Sequence, residues 1–260
     1  MADPQAALDR ALTEENLTLL YQPIHEARSR RIVAAEALMR QRRQNGEIRE
    51  AGIITAAAEE APRTDLFALD SWMVRAAYAG AASWGAQGAS DVRLNINLSP
   101  REFQEGDVLT RLTSLLTSCG VDPTRVNLEI TETSSIDDPE ELQNLLRELK
   151  KLGLALWLDD FGSGHSTITQ LLHFPVDGLK IPGEFTKNLE RDKKSRAITA
   201  ALLRLAHESG LHVIAEGVER ESQLQFLLEH GCESIQGFLF SRPMPIEELI
   251  ERLDDTSDED

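Results

Sequence analysis

The chain has 260 residues, with 27 lysines and arginines against 44 acidic residues and a formal net charge of −17. So negative a surface repels nucleic-acid phosphates, and DNA or RNA is therefore not expected as a polymeric partner. No run of about 18 apolar residues occurs, so no membrane-spanning helix is expected. The first residues lack the basic start and apolar run of a signal peptide, and Cys119 and Cys232 form no CxxC pair. These features predict a cytoplasmic protein with two free thiols.

Short apolar runs typical of β-strands alternate with longer patterns typical of helices. The eight candidate strands cover residues 17–24, 32–39, 92–98, 126–131, 155–161, 178–181, 212–218 and 234–240. Several are apolar throughout, as strands covered on both faces are. Eight strands with interleaved helices in about 250 residues predict an α/β fold, a TIM-like (β/α)8 barrel. The barrel is expected to span residues 1–253, followed by a mobile acidic tail over residues 254–260.

The first two strands require a different connection from the others. Only residues 25–31 separate them, whereas a parallel crossover needs about a dozen residues or more. We therefore expect an antiparallel hairpin, so that the first strand of the barrel runs against the rest. With a turn near Ser29, Gln22 should lie roughly opposite Glu36.

Three segments carry helix signals. The segment after Asp138 has a proline at its first helical position and acids in its first turn, and it should end at Gly153. A second helix is expected over residues 220–230. A third should start after Ser99, where the same N-terminal pattern recurs.

Polar residues recur within the apolar strands, mostly towards their C-terminal ends: Glu36, Asn97, Glu129, Asp159, Asp160, Lys180, Glu216 and Gln236. In a barrel these ends meet at one mouth, where active sites form. Carboxylates converging there would repel one another unless protons or cations neutralise them. Carboxylate and carboxamide oxygens suit Mg²⁺ or Mn²⁺. The adjacent Asp159 and Asp160 would allow one carboxylate to bridge two ions, the arrangement used in phosphoryl displacement.

Taken singly, each of these positions also has a structural interpretation. The paired aspartates are suited to capping a helix that starts near Gly164, and Lys180 is suited to the protein surface. The others fit surface positions at strand ends or turns: Glu36, Asn97, Glu129 and Glu132. Their joint occurrence at strand ends favours a metal site over these separate interpretations.

Eight short segments occur in order between about Leu12 and Leu253: Tyr21–Ile24, Glu36–Arg40, Asn97–Ser99, Glu129–Glu132, Asp159–Gly164, Lys180–Ile181, Ala215–Glu219 and Gln236–Phe238. As a set they resemble the motifs of the EAL-domain cyclic di-GMP phosphodiesterases. A single Glu-Ala-Leu triplet would carry no weight, whereas the ordered set is specific. The family's barrel has an antiparallel first strand, in agreement with the hairpin expected above.

The resemblance implies a metal-dependent phosphodiesterase that hydrolyses cyclic di-GMP to linear pGpG with two Mg²⁺ or Mn²⁺ ions and is inhibited by Ca²⁺. It implies that the first ion is bound by Glu36, Asn97, Glu129 and Asp159. Asp159 would bridge to the second ion, which Asp160 would also hold.

The same resemblance assigns further roles. Glu216 would bind or deprotonate the attacking water, Lys180 would orient it, and Glu132 would steady the lid loop over residues 133–139. The residues expected to contact substrate or its supporting groups are Gln22, Arg40, Gln236 and Glu219. Members of the family often dimerise through the lid region, so a homodimer is expected.

The sequence departs from the family pattern at several positions. Pro182 stands where the family usually has an aspartate after the lysine and isoleucine, which removes a carboxylate near the second ion. His165 and Gln41 replace aromatic residues, and residues 42–50 lack the family's usual proline. Pro182 supports an alternative from another class: a degenerate EAL domain that binds cyclic di-GMP or a protein without cleavage. An unrelated metal-dependent barrel acting on another phosphate ester is the third interpretation.

Overall fold

The computed structural model describes residues 8–9, 16–43, 45–60, 62–89, 91–98, 108–130, 139–163 and 168–257. Within these ranges the strands are β1 (Leu17–Glu26), β2 (Ile32–Arg42), β3 (Ile48–Glu50), β4 (Arg93–Leu98), β5 (Val126–Ile130), β6 (Ala155–Leu158), β7 (Gly178–Ile181), β8 (His212–Ala215) and β9 (Ser234–Ile235). The helices are α1 (Gly52–Glu60), α2 (Arg63–Ala86), α3 (Val108–Cys119), α4 (Pro139–Lys151), α5 (Ile168–His173), α6 (Gly183–Thr186), α7 (Lys193–Glu208), α8 (Glu221–Glu229) and α9 (Ile246–Ser257). None of these described helices is long and apolar enough to cross a membrane.

The sheet closes into a barrel because β1 pairs with strands on both sides. Neighbouring strands follow the order β1-β9-β8-β7-β6-β5-β4-β2-β3, and β1 also pairs with β2. β1 is antiparallel to β2 and β9, whereas β2, β4 and the strands from β5 to β9 pair in parallel. The predicted TIM-like barrel with an antiparallel first strand is confirmed.

The β1–β2 hairpin has the expected register. Gln22 lies directly opposite Glu36, and the turn occupies residues 27–29. The short strand β3 extends the outer edge of β2 in an antiparallel direction and lies outside the closed ring. It was not predicted, because its three residues are exposed and carry no alternation of apolar and polar side chains.

Three strands end earlier than their apolar sequences predict. β6 ends at Leu158, β8 at Ala215 and β9 at Ile235, whereas the predicted strands extend to residues 161, 218 and 240. In the first two cases the residues that follow are the acids at the barrel mouth. The backbone leaves the ladder there, and Asp160 adopts a left-handed conformation with φ of 52°.

The predicted helices can be compared with the structure at two of the three segments. α4 begins at Pro139 and is followed by Gly153 in a left-handed conformation, and α8 matches the helix expected over residues 220–230. The helix expected after Ser99 lies outside the described residues. α9 continues to Ser257, past the boundary predicted at Leu253, and the mobility of the acidic tail stays a prediction.

Alternate residues of each strand pack on opposite sides of the barrel wall. Leu156 and Leu158 of β6 join the clusters between wall and helices. Ala155 and Trp157 point the other way and form a small interior cluster with Ile24, Ala34 and Ile214. The Trp157 ring lies against Gly178 of β7, where a Cβ atom would come within 2.5 Å of the ring. This apolar plug leaves the mouth end of the interior to polar side chains.

Candidate active site

Five carboxylates and a lysine meet at the C-terminal mouth of the barrel. Glu36, Glu129 and Lys180 are inward-facing residues of β2, β5 and β7, and all three are buried. Asp159 and Asp160 directly follow β6, and Glu216 directly follows β8. Parallel strands deliver their C-terminal ends to one edge, which is why residues so distant in sequence are neighbours here.

Lys180 is the centre of this cluster. Its Nζ atom lies 2.7 Å from Glu216 Oε1, 3.0 Å from Glu129 Oε2, 3.2 Å from Glu36 Oε2 and 3.5 Å from Asp159 Oδ1. The side chain is only 1% exposed. An ammonium group has three protons to donate, fewer than the carboxylates around it. One lysine therefore neutralises only part of the negative charge.

Asp159 and Asp160 face the same cavity although they are adjacent in sequence. Consecutive residues of a strand point to opposite faces, so an extended backbone would separate them. The left-handed conformation of Asp160 brings both carboxylates to the mouth. Oxygen atoms of Asp159, Asp160 and Glu216 lie within 4.8 Å of one another. This spacing is compatible with shared coordination of a cation.

Asn97 on β4 offers an oxygen to the same cluster. Its Nδ2 atom donates to Glu36 Oε1 at 2.7 Å, which fixes the orientation of the carboxamide because a carboxylate only accepts. The Oδ1 atom is buried and has no hydrogen-bond partner in the described structure. A buried acceptor without a donor is costly, and a cation is a natural partner for it.

Four of the acids border an open cavity of about 380 Å³, and Glu129 is buried behind them. Besides the acids and Lys180, it is lined by Gln22, Glu219, Gln236 and Phe238. Gln236 donates from Nε2 to Glu36 Oε2 at 2.7 Å. The turn that presents it requires Gly237, since a Cβ there would lie 2.1 Å from the carbonyl oxygen of Val218.

Burial raises the pKa of three of these carboxyl groups. The pKa of Glu216 rises to about 7, because burial and the charge of Asp159 outweigh the attraction of Lys180. Burial, with repulsion from Glu36, raises the pKa of Glu129 well above its ordinary value. Burial and the charge of Asp159 also raise the pKa of Asp160. The site is thus short of positive charge.

Glu36 and Lys180 shift in the opposite sense. Burial alone would raise the pKa of Glu36, but the charge of Lys180 and hydrogen bonds from Gln236 and Asn97 lower it. Burial alone would lower the pKa of Lys180, but the surrounding carboxylates, led by Glu129, raise it well above its ordinary value. The lysine is therefore held in its charged form.

The residues fit divalent cations. The cluster presents five carboxylates and one unused carboxamide oxygen, all hard ligands of the kind Mg²⁺ and Mn²⁺ prefer. Among the described residues, Lys180 is the one cation that forms ion pairs with them. Cations would satisfy the Oδ1 atom of Asn97 and remove the carboxylate repulsion that raises the pKa values.

Not all residues predicted from the sequence meet at this cavity. Arg40 lines a neighbouring cavity of about 400 Å³ between β2, α1 and α2, and donates to its neighbour's carbonyl, Met39 O. Glu132 and residues 133–138 of the expected lid lie outside the described residues. Two contributors were not assigned a role: Phe238 at the cavity rim and Asn95 beneath Glu129. The alternation of Asn95 and Asn97 on one face of β4 was the available signal for Asn95.

The fold and this acidic mouth define a (β/α)8 barrel with a cluster of candidate cation ligands at its C-terminal end, and comparison with known proteins specifies the family. The family model described as EAL domain matches residues 5–243. The chain belongs to the EAL-domain family.

Several relatives and solved structures are similar to the chain. A cyclic di-GMP phosphodiesterase of Pseudomonas aeruginosa is 32% identical over 238 residues, covering 91% of this chain and 40% of that protein. The structure of the PaMucR phosphodiesterase in complex with c-di-GMP has a TM-score of 0.88 and 31% identity, covering 95% of this chain and 99% of that one. The manganese and cyclic di-GMP complex of Klebsiella pneumoniae BlrP1 has a TM-score of 0.76 and 30% identity, covering 88% of this chain and 56% of that one. The chain spans about a third of the length of several curated relatives that it matches.

Proposed function

We propose that the chain is a metal-dependent phosphodiesterase that hydrolyses cyclic di-GMP to linear pGpG with two divalent ions, Mg²⁺ or Mn²⁺. The observation that carries the proposal is the convergence of four carboxylates on one buried lysine at the barrel mouth, with the Asp160 carboxylate beside them. The relatives support the substrate, since the named phosphodiesterase and the two complexes share this fold over most of the chain.

The metal-binding residues fall into two sets. Glu36, Asn97, Glu129 and Asp159 would hold one ion, and Asp159 with Asp160 would hold the other. When bound, such ions lower the pKa of a coordinated water and stabilise the attacking and leaving oxygens. They also offset the repulsion between the acidic cavity and a substrate that carries two negatively charged phosphates.

The remaining side chains act on the water and the substrate. Lys180 Nζ lies 2.7 Å from Glu216 Oε1, so an ammonium donor and a carboxylate acceptor stand side by side and both can contact one water in the cavity. Without cations, burial raises the pKa of Glu216 to about 7. Cations beside it would lower that pKa, so Glu216 would be ionised and able to take a proton from the attacking water. Gln22, Gln236 and Glu219 line the cavity and supply hydrogen-bonding groups for the substrate.

A binding module without turnover is the second candidate, and Pro182 is the observation that favours it. Pro182 directly follows β7 and precedes α6, close in sequence to Lys180. A proline offers neither a carboxylate nor a backbone N–H group at this position. Weak binding of the second ion would leave a domain that holds cyclic di-GMP but cleaves it slowly.

One experiment separates the two candidates. The protein is incubated with cyclic di-GMP in Mg²⁺, Mn²⁺, Ca²⁺ or EDTA, and the nucleotides are resolved by chromatography. Linear pGpG formed only with Mg²⁺ or Mn²⁺ supports the phosphodiesterase. Bound but intact cyclic di-GMP in all four conditions would assign the chain to the binding class. The predicted homodimer is checked on the same sample by light scattering.

A further inference from the structure

A chain of hydrogen bonds runs through the barrel interior beneath Glu129. Arg93 donates from Nη1 to Asn127 Oδ1 at 3.2 Å, and Asn127 donates from Nδ2 to Asn95 Oδ1 at 2.8 Å. Asn95 then donates from Nδ2 to Glu129 Oε1 at 2.6 Å. We call these three residues, Arg93, Asn127 and Asn95, the interior column.

The column follows from strand register. Asn95 and Asn127 are partners across β4 and β5, and Glu129 lies two residues further along β5, on the same face. Both asparagines are buried, while Arg93 begins β4 at the end of the barrel opposite the mouth and is exposed. The column therefore connects the outer surface at one end with the acidic cluster at the other.

The two ends of the column set its direction. A guanidinium group can only donate, and Glu129 can only accept when it is ionised, as a metal ligand must be. Each carboxamide must therefore turn its oxygen towards Arg93 and its nitrogen towards Glu129. Any reversal would place two acceptors or two donors against each other.

Burying carboxamide side chains in a barrel interior costs free energy of desolvation. Elsewhere this interior is packed with apolar side chains, and a buried carboxamide is costly unless its hydrogen bonds are satisfied. The column satisfies them, and each bond polarises the next. Apolar residues would fill this space equally well. The amides therefore indicate that the Glu129 carboxylate needs a hydrogen-bond donor at this position.

We propose that Arg93, Asn127 and Asn95 are positioning residues that orient Glu129 for metal binding. Asn95 holds Oε1 of Glu129, which leaves Oε2 facing the cluster, 3.0 Å from Lys180 Nζ. The inference rests on the proposed function, in which Glu129 is a ligand of the first ion. Hydrogen-bonding partners of metal ligands typically contribute roughly 10–100-fold to metal affinity.

Arg93 provides the sharpest test because it is exposed and distant from the mouth. Arg93→Glu replaces the donor at the outer end of the column by an acceptor. Both carboxamides are then expected to flip, so that Asn127 Nδ2 donates to the new glutamate. The flip places Asn95 Oδ1, an acceptor, against the Glu129 carboxylate. We expect roughly tenfold weaker Mn²⁺ binding, measured by isothermal titration without substrate. Arg93→Lys keeps a donor-only end and should bind Mn²⁺ like the wild type.

The change in net charge alone predicts that Arg93→Glu binds Mn²⁺ more tightly, not more weakly. Exchanging an arginine for a glutamate makes the chain more negative and should attract cations more strongly. Arg204→Glu, at an exposed arginine of α7, measures that effect alone and should leave Mn²⁺ affinity equal or slightly higher. Weaker binding in Arg93→Glu but not in Arg204→Glu is thus specific to the column.

A second variant breaks the column from inside. Asn127→Leu removes the donor to Asn95 without touching Glu129, and it should weaken Mn²⁺ binding by a similar factor while the KM for cyclic di-GMP at saturating Mn²⁺ is unchanged. Wild-type Mn²⁺ affinity in both Arg93→Glu and Asn127→Leu would overturn the inference and leave the proposed function standing. A wild-type protein that binds no Mn²⁺ would overturn both.

Discussion

Asp160 shows how one residue assembles the mouth. Its left-handed backbone costs roughly 1–2 kcal/mol for a residue with a Cβ atom. Asp160 N donates to Asp159 Oδ1 at 2.9 Å, and Phe161 N donates to Lys180 O at 3.1 Å, so the turn is anchored on both sides. The strained turn places two adjacent carboxylates on one cavity, which an extended strand could not do.

The charge of Asp159 is predicted to matter more than its volume. Asp159→Asn should lower hydrolysis of cyclic di-GMP by at least roughly a hundredfold, because metal stabilisation of the reacting oxygens amounts to several kcal/mol. The thermal midpoint should stay within a few degrees, since the change is isosteric. Turnover and thermal unfolding are measured on the same preparation. Hydrolysis at the wild-type rate would refute the bridging role.

Asp177→Asn is the matched control at the other end of the barrel. Asp177 receives hydrogen bonds from Lys150 Nζ at 2.6 Å and from Leu156 N at 2.8 Å. Its replacement should lower the free energy of unfolding by about 1 kcal/mol, because the ion pair is partly exposed. The metal concentration required for activity should not change.

Pro182→Asp tests whether the missing carboxylate limits the second ion. The backbone at this position is extended, with φ of −65° and ψ of 152°, and it caps the N-terminus of α6, a position that aspartate favours. We expect the variant to fold and to reach half-maximal hydrolysis at a lower Mg²⁺ concentration. Pro182→Asn, which caps the helix without the charge, is the control. Identical Mg²⁺ dependence in wild type and Pro182→Asp would mean that the position has no metal role here.

Among the elements, β6 and β7 depend on one close contact. A methyl group on Gly178 would meet the buried Trp157 ring at 2.5 Å. Gly178→Ala should therefore lower the free energy of unfolding by roughly 1–3 kcal/mol, as overpacking of a core does. Urea denaturation followed by Trp fluorescence measures the change.

Gly52→Ala supplies the comparison, since a methyl group on Gly52 meets no atom within 4 Å. This residue begins α1, where alanine restricts the unfolded chain more than glycine does. Stability should be unchanged or slightly higher. Equal losses in the two variants would contradict the packing role assigned to Gly178.

How far the sequence predicts this structure differs from element to element. The seven residues between the first two predicted strands were sufficient for the hairpin and its register, because chain length and side-chain alternation are local constraints. The ends of β6 and β8 were predicted too late, because Phe161 and Val218 beyond the acids resemble strand residues, whereas the backbone leaves the sheet at the acids. Arg40 was placed with the acids because its motif is adjacent to Glu36, whereas the structure directs it to the neighbouring cavity. The interior column depends on pairing between strands, which single-strand patterns do not contain.

A buried histidine links the first strand of the barrel to the C-terminal part of the chain. His25 of β1 donates from Nδ1 to Arg30 O at 2.7 Å, and its Nε2 accepts from Ser241 Oγ at 3.0 Å. Protonation at Nε2 would require the Ser241 hydroxyl to turn and accept instead of donate. Burial, with a smaller contribution from the charge of Arg252, lowers the pKa of His25.

Acid should therefore destabilise the closed barrel through His25. The unfolded chain takes up a proton near the ordinary histidine pKa of about 6.5, whereas the folded chain does so only at lower pH. The stabilisation from His25 is complete above that pH and is lost as the pH falls below it. The difference in unfolding free energy between wild type and His25→Gln should shrink from about pH 8 to about pH 5. His212→Gln, at an exposed histidine, is the control; a pH-independent difference for His25→Gln would contradict the prediction.

The antiparallel first strand also has a consequence for biosynthesis. Gln22 reaches Ser241 across 219 positions, and Glu36 reaches Gln236 across 200. Contacts between such distant positions form slowly, because the intervening chain must first be brought together. On the ribosome, β1 and β8 thus remain without their β9 partner until nearly all of this domain has emerged. The nascent chain carries two open sheet edges during that interval, so this domain is expected to need protection from aggregation while it is made, and its catalytic cluster is completed only at the last step.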